Sequence, residues 1–132
     1  MLHKLLFIVF LVLPITTWGH SPLISVSPKD KAILNEAPSQ IVMVFKSPIE
    51  LIKLEIRKSE QDISSKSFFA RLFADNNSNL VSLSKDFLMQ MGKRQTIPVP
   101  KLTTGLYEVS WRAIGKDGHI IKGRFNFTIS DE

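Results

Sequence analysis

Apolar and polar residues alternate along most of this chain with a period of two, which is the pattern of half-buried β-strands. Leu23-Ile24-Ser25-Val26-Ser27 predicts a first strand, stopped by Pro28. Ile41 to Phe45 predicts a second, stopped near Pro48. From Ile52 to Arg57 the alternation puts Ile52, Leu54 and Ile56 on one face and Lys53, Glu55 and Arg57 on the other; Leu51 falls on the polar side and is the exception. Arg57 to Lys66 is polar and reads as a loop. Phe68 to Phe73 and Leu80 to Leu83 are weaker strand candidates, separated by the turn-rich Asp75-Asn76-Asn77-Ser78-Asn79. Ser84 to Met91 predicts at most a short helical turn, and Thr96 to Val99, interrupted by Pro98, an edge strand.

The last third carries the strongest signal. Tyr107, Val109, Trp111 and Ala113 alternate with Leu106, Glu108, Ser110 and Arg112; after a turn at Gly115 to Gly118, Phe125, Phe127 and Ile129 alternate with Arg124, Asn126 and Thr128. This predicts a long hairpin with Asp117 and His119 at its connection. About seven short strands with proline stops predict an all-β, immunoglobulin-like β-sandwich. No repeat, linker or low-complexity tract interrupts it.

One segment departs from this pattern. Lys4 precedes an unbroken apolar run of nine residues, Leu5 to Leu13, and Pro14 and the small residues Thr17 and Gly19 follow. That layout predicts a secretory signal peptide over 1–19, cleaved after Gly19. Nine residues fall short of the ~20 that span a bilayer. The remaining 20–132 has the length of a single domain, with no later run long enough to embed it in a membrane. An exported chain without cysteine folds without disulfides and has no thiolate chemistry. After loss of Lys4, 16 basic side chains face 12 acidic ones, a mild +4 spread along the chain. Nucleic-acid binding calls for clustered Lys and Arg, and none is clustered in the sequence.

Cleavage after Gly19 makes His20 the first residue, and His119 is then the sole other histidine. A terminal His offers two nitrogens, its α-amine and its imidazole. Asp117 and His119 add a carboxylate and a second imidazole, and their spacing of two puts both on one face of an extended segment. Nitrogen and oxygen donors in a flattened arrangement suit Cu(II). The bland alternative is that a lone His is surface filler and Asp-Gly an ordinary turn dipeptide. Met43 lies in an apolar strand and reads as core, as does Trp111. Met89 and Met91 are soft enough to hold Cu(I), but two thioethers without a neighbouring His favour packing or surface.

On these residues the chain resembles the CopC-type periplasmic copper-binding proteins. The resemblance is carried by His20, Ser27-Pro28-Lys29-Asp30, Ala37-Pro38 leading to Val42-Met43-Val44-Phe45, and above all Gly105-Leu106-Tyr107-Glu108-Val109-Ser110-Trp111-Arg112 running into Asp117-Gly118-His119 and Gly123-Arg124-Phe125-Asn126-Phe127. It implies a Greek-key sandwich, one Cu(II) ion held by His20, Asp117 and His119, and a periplasmic role in copper homeostasis or resistance beside a membrane copper-transport partner. Two departures stand out. Pro22 occupies a position where many members have a second His, and Arg57 to Lys66 lacks the methionines of the Cu(I)-binding loop. The expected function is therefore Cu(II) binding without catalysis. The competing readings are a histidine-brace copper enzyme, for which the chain is short, and a structural sandwich without metal.

Overall fold

A computed structural model describes residues 22–59 and 79–131. The expected leader, His20 and the strand candidate Phe68 to Phe73 lie outside the described residues. Six strands are described and no helix: β1 (Leu23–Ser27), β2 (Ala32–Leu34), β3 (Gln40–Ser59), β4 (Met91–Pro98), β5 (Gly105–Gly115) and β6 (Ile120–Ile129). The all-β class holds, and β1, β5 and β6 lie where the alternation puts them.

The organising element is β3, which runs through both layers. Its first part pairs antiparallel with β1 on one side and β4 on the other. Its second part pairs antiparallel with β5, which pairs with β6, and β6 carries the parallel β2 at the edge. The two expected strands on either side of Pro48 are thus one strand of 20 residues. Pro48 does not break it because no ladder needs its missing N–H: the β4 pairing is interrupted between Val44 and Ile49, and the β5 pairing begins only at Ile49.

The Leu51 exception also has a physical cause. Leu51 pairs with Ala113 and Lys53 with Arg112, so Ile52 is an extra residue in β3. Such a bulge reverses the facing of every later side chain. Leu51 is therefore buried along with Leu54 and Ile56, while Ile52 is only partly covered. A second bulge leaves Ile24 unmatched in β1, between Leu23 and Ser25, and 65% exposed.

Sequence periodicity misses two elements. β4 begins at Met91 instead of Thr96 because Gln95 occupies an inward position and spoils the apolar alternation. Gln95 is 5% exposed, and its amide nitrogen donates to the carbonyls of Ile49, Gln90 and Gly92 at 3.0–3.1 Å. A buried amide is tolerated when so satisfied. β2, at three residues, is too short to show a period. It is held by the preceding connection, where Asp30 Oδ1 accepts from Asn126 N at 3.0 Å and Lys31 N donates to Asn126 O at 2.6 Å. The Ser-Pro-Lys-Asp run thus has a structural role here. Leu80 to Leu83 forms only an isolated bridge to Arg57, and the expected helical turn is a hydrogen-bonded turn with Leu88 N donating to Lys85 O.

Inward residues of both layers form one core. Phe45, from the first part of β3, meets Trp111 of β5 edge-on, with ring centroids 5.3 Å apart. Tyr107 stacks on Phe127 at 5.6 Å, and its hydroxyl donates to Thr103 O at 2.8 Å. Tyr107, Val109, Trp111 and Ala113, like Phe125, Phe127 and Ile129, are all buried, as their alternation predicts. Met43 is fully buried.

Candidate metal centre at the hairpin turn

The β5–β6 connection is short and closed by its own backbone. Gly118 N donates to Gly115 O, and Gly115 N to His119 O, both at 2.9 Å. Gly118 has φ +83°, in the left-handed region that a Cβ disfavours. At Gly115 a Cβ would lie 2.9 Å from Asp117 Oδ1, so the lack of a side chain there gives the carboxylate its place.

Asp117 and His119 are brought together by this turn and not, as their spacing had suggested, by an extended segment. Asp117 Oδ1 accepts from His119 N at 3.1 Å, and Asp117 Oδ2 meets His119 Nδ1 at 2.8 Å. The carboxylate thereby fixes both the backbone and the ring of His119. With the Nδ1 proton donated to Asp117, the neutral imidazole keeps its lone pair on Nε2. The ring is 83% exposed, so that lone pair is open to an incoming ligand.

The electrostatics follow from the same contact. The hydrogen bond to Asp117, then the carboxylate charge, raises the His119 pKa above its ordinary value. The hydrogen bonds from the His119 side chain and backbone lower that of Asp117. A carboxylate–imidazole pair of this kind orients a metal-binding ring and raises its basicity. Among the described residues no group of three or more His, Asp or Glu is placed to hold a metal ion. Asp117 and His119 therefore make two protein donors at most, and His20 lies outside the described residues.

Met89 and Met91 are both on the surface, 64% and 51% exposed. Sequence reasoning placed Gly115 in the turn but missed that its lack of a side chain makes room for the Asp117 carboxylate. It also missed the role of Gly123, whose Cβ would fall 2.7 Å from the indole of Trp111. Gly123 pairs with Trp111 across the hairpin; its missing side chain makes room for the ring.

Residues 23–130 match the family model described as the CopC domain. The chain belongs to the CopC family. It is 25% identical over 127 residues to copper transport protein CutJ of Bacillus subtilis (strain 168); the match covers 95% of this chain but 20% of that protein, so the chain spans about a fifth of its length. Among solved structures it resembles CopC from Methylosinus trichosporium OB3b, with 22% identity, a TM-score of 0.54 and coverage of 86% of this chain and 96% of that one. It also resembles PcoC, a methionine-rich copper resistance protein from Escherichia coli, with 23% identity, a TM-score of 0.59 and coverage of 85% and 100%. These likenesses are to the fold. In this family member no helix of the described residues is long and apolar enough to cross a membrane.

Proposed function

We propose that this CopC-family chain is an exported, periplasmic protein that binds one Cu(II) ion and serves copper homeostasis or resistance without catalysing a reaction. Cleavage after Gly19 exposes His20, whose amine and imidazole join the His119 imidazole and the Asp117 carboxylate around the ion. The names of its relatives, a copper transport protein and a copper resistance protein, support copper as the cargo. The first is about five times as long and includes a region like this one. That favours a membrane copper-transport protein as the partner.

One observation carries the reading. Pro22 O accepts from Lys46 N at 2.8 Å, three residues before Ile49, and Ile49 pairs with Gly115 at the mouth of the hairpin turn. The described chain thus begins next to Lys46, three residues along β3 from the residue that pairs with Gly115. Two further residues extend at most ~7 Å, and His20 is two residues before Pro22. Nitrogen and oxygen donors of this kind suit the harder oxidised ion.

The test is a Cu(II) titration of the protein recovered after export, with its N-terminus verified by intact mass, followed by an ascorbate oxidation assay. One tightly bound Cu(II) and no catalysed oxidation is the expected result. Absence of a tight site overturns the assignment, and catalysed oxidation replaces it with a histidine-brace enzyme.

A further inference from the structure

The outward face of the second layer carries an unusual register of charge. Lys53 of β3 pairs with Arg112 of β5, and Arg112 pairs with Lys122 of β6. Three cations therefore stand in one row across three adjacent strands, about 4.8 Å apart from strand to strand. Arg124 follows two residues along β6, opposite Ser110. Like charges directly opposite each other destabilise a sheet. Lys53 is relieved by Glu55 at 3.0 Å. Arg112, Lys122 and Arg124 are all exposed, and none forms an ion pair among the described residues. Glu108 lies on the same face but makes no ion pair with them. The sequence hides this row because its members are far apart in the chain and meet only through strand pairing.

Apolar residues border the cations at both ends of this face. Ile120, paired with Ile114, is 62% exposed at the turn end. Ile33 of β2, paired with Thr128, is 72% exposed at the other. Of two concavities among the described residues, one reaches this face at Lys53 and Glu55, and neither is lined by Arg112, Lys122 or Arg124. These three cations stand outside both. A planar array of anions satisfies every cation at once and gives the flanking isoleucines an apolar boundary.

We propose that the outward face of the β5–β6 hairpin is a docking surface for a membrane bearing anionic lipid headgroups. Docking there lays the sheet against the bilayer and leaves the Asp117–His119 turn at the rim of the contact. The inference is independent of the copper assignment, since the face is complete without metal.

The test uses the exported protein, with chelator present, sedimented with vesicles of phosphatidylcholine alone or with about one third phosphatidylglycerol. Binding is expected only to the anionic vesicles, with loss as salt rises from about 0.05 to about 0.5 M. Arg112→Gln/Lys122→Gln is expected to weaken binding about 25-fold, at about fivefold per cation. Lys93→Gln/Arg94→Gln, exposed cations of β4 away from the β5–β6 hairpin, is expected to leave it within about twofold. Circular dichroism is the check that both variants fold. Equal weakening by the two pairs reduces the effect to net charge and overturns the proposal. So does equal binding to both kinds of vesicle. Salt-sensitive binding to poly-glutamate with none to anionic vesicles overturns it in favour of an acidic protein.

Discussion

Asp117 Oδ2 lies 2.8 Å from His119 Nδ1, and the other oxygen of the same carboxylate takes the His119 backbone N–H at 3.1 Å. One side chain thus sets the backbone, the ring orientation and the proton position of the residue two places on. Gly115 leaves the space and Gly118 supplies the turn. The geometry presents Nε2 outward as a metal donor.

The pair makes a prediction for the metal-free protein. His119 titrates above its ordinary ~6.5 because Asp117 holds its proton. Its contribution to stability is present below ~6.5 and lost as pH rises through the raised value. The contribution of Asp117 is present above ~3.9 and lost as pH falls through its lowered value. Both are therefore in force between about pH 4 and 6.5. Asp117→Asn removes the charge, and the His119 midpoint should fall toward ~6.5 when its ring protons are followed by NMR. An unchanged midpoint would show that the contact does not persist in solution.

Copper binding should weaken as pH falls. Two imidazoles and an amine must shed protons to ligate, and their ordinary pKa values are ~6.5 and ~7.7–8.0. Because a metal competes with protons well below those values, Cu(II) should be lost between about pH 6 and 4. Affinity constant from about pH 7 to about pH 4 would argue against nitrogen donors. N/O donors also favour Cu(II) over Cu(I). A competition assay finding Cu(I) held as tightly would bring the exposed Met89 and Met91 into the site.

The two turn residues should separate by mutation. His119→Ala removes a nitrogen donor and should weaken Cu(II) most. Asp117→Ala should change the copper spectrum with a smaller loss of affinity. Both side chains are largely exposed, so the fold should survive with little change in stability. Equal affinity in His119→Ala and the unmutated protein would remove His119 from the site.

The hairpin was legible in the sequence because strands of 11 and 10 residues with inward aromatics leave little ambiguity. Tyr107, Trp111, Phe125 and Phe127 are all where the period puts them. What resisted reading was every place where a local rule yields to tertiary structure. Ile52 shifts the phase of β3 by one, Pro48 passes through an unpaired stretch, and the inward Gln95 breaks the apolar period although the carbonyls of Ile49, Gln90 and Gly92 satisfy its amide. The turn residues could be singled out by type. Their contact could not, because it depends on a Gly115–Gly118 turn instead of strand geometry. Gly123 is a further case: its closeness to Trp111 is a cross-strand relation that spacing alone does not reveal.

Gly123→Ala should therefore be costly despite its small size. The added Cβ would sit 2.7 Å from the indole Cζ2 and 2.9 Å from Cε2. The ring is 5% exposed and rests against Phe45, so it has little room to retreat. Overpacking of this kind costs ~1–3 kcal/mol. The thermal midpoint should fall, and near-ultraviolet circular dichroism should report a moved Trp111. An unchanged midpoint would mean that the two strands separate locally at no cost.

The sharpest prediction turns on one peptide bond. Suppose the protein is made with an extra Met or Gly before His20. Every side chain remains, and β1 still begins at Leu23, so the sandwich should fold as before. Yet the His20 amine has become an amide, a poor ligand until deprotonated. The chelate of amine and ring is lost, and with it the entropic advantage of two donors on one residue. The Asp117–His119 pair alone offers at most two donors, fewer than a tight Cu(II) site requires. Cu(II) affinity should drop sharply and the visible and EPR spectra should change, while the thermal midpoint of the metal-free form stays the same. A structural sandwich without metal predicts no difference between the two forms. If the extended and processed forms bind Cu(II) with the same affinity and spectrum, either cleavage does not follow Gly19 or the terminal amine is not a ligand. Intact mass of the exported protein separates the two: a chain beginning at His20 leaves only the second.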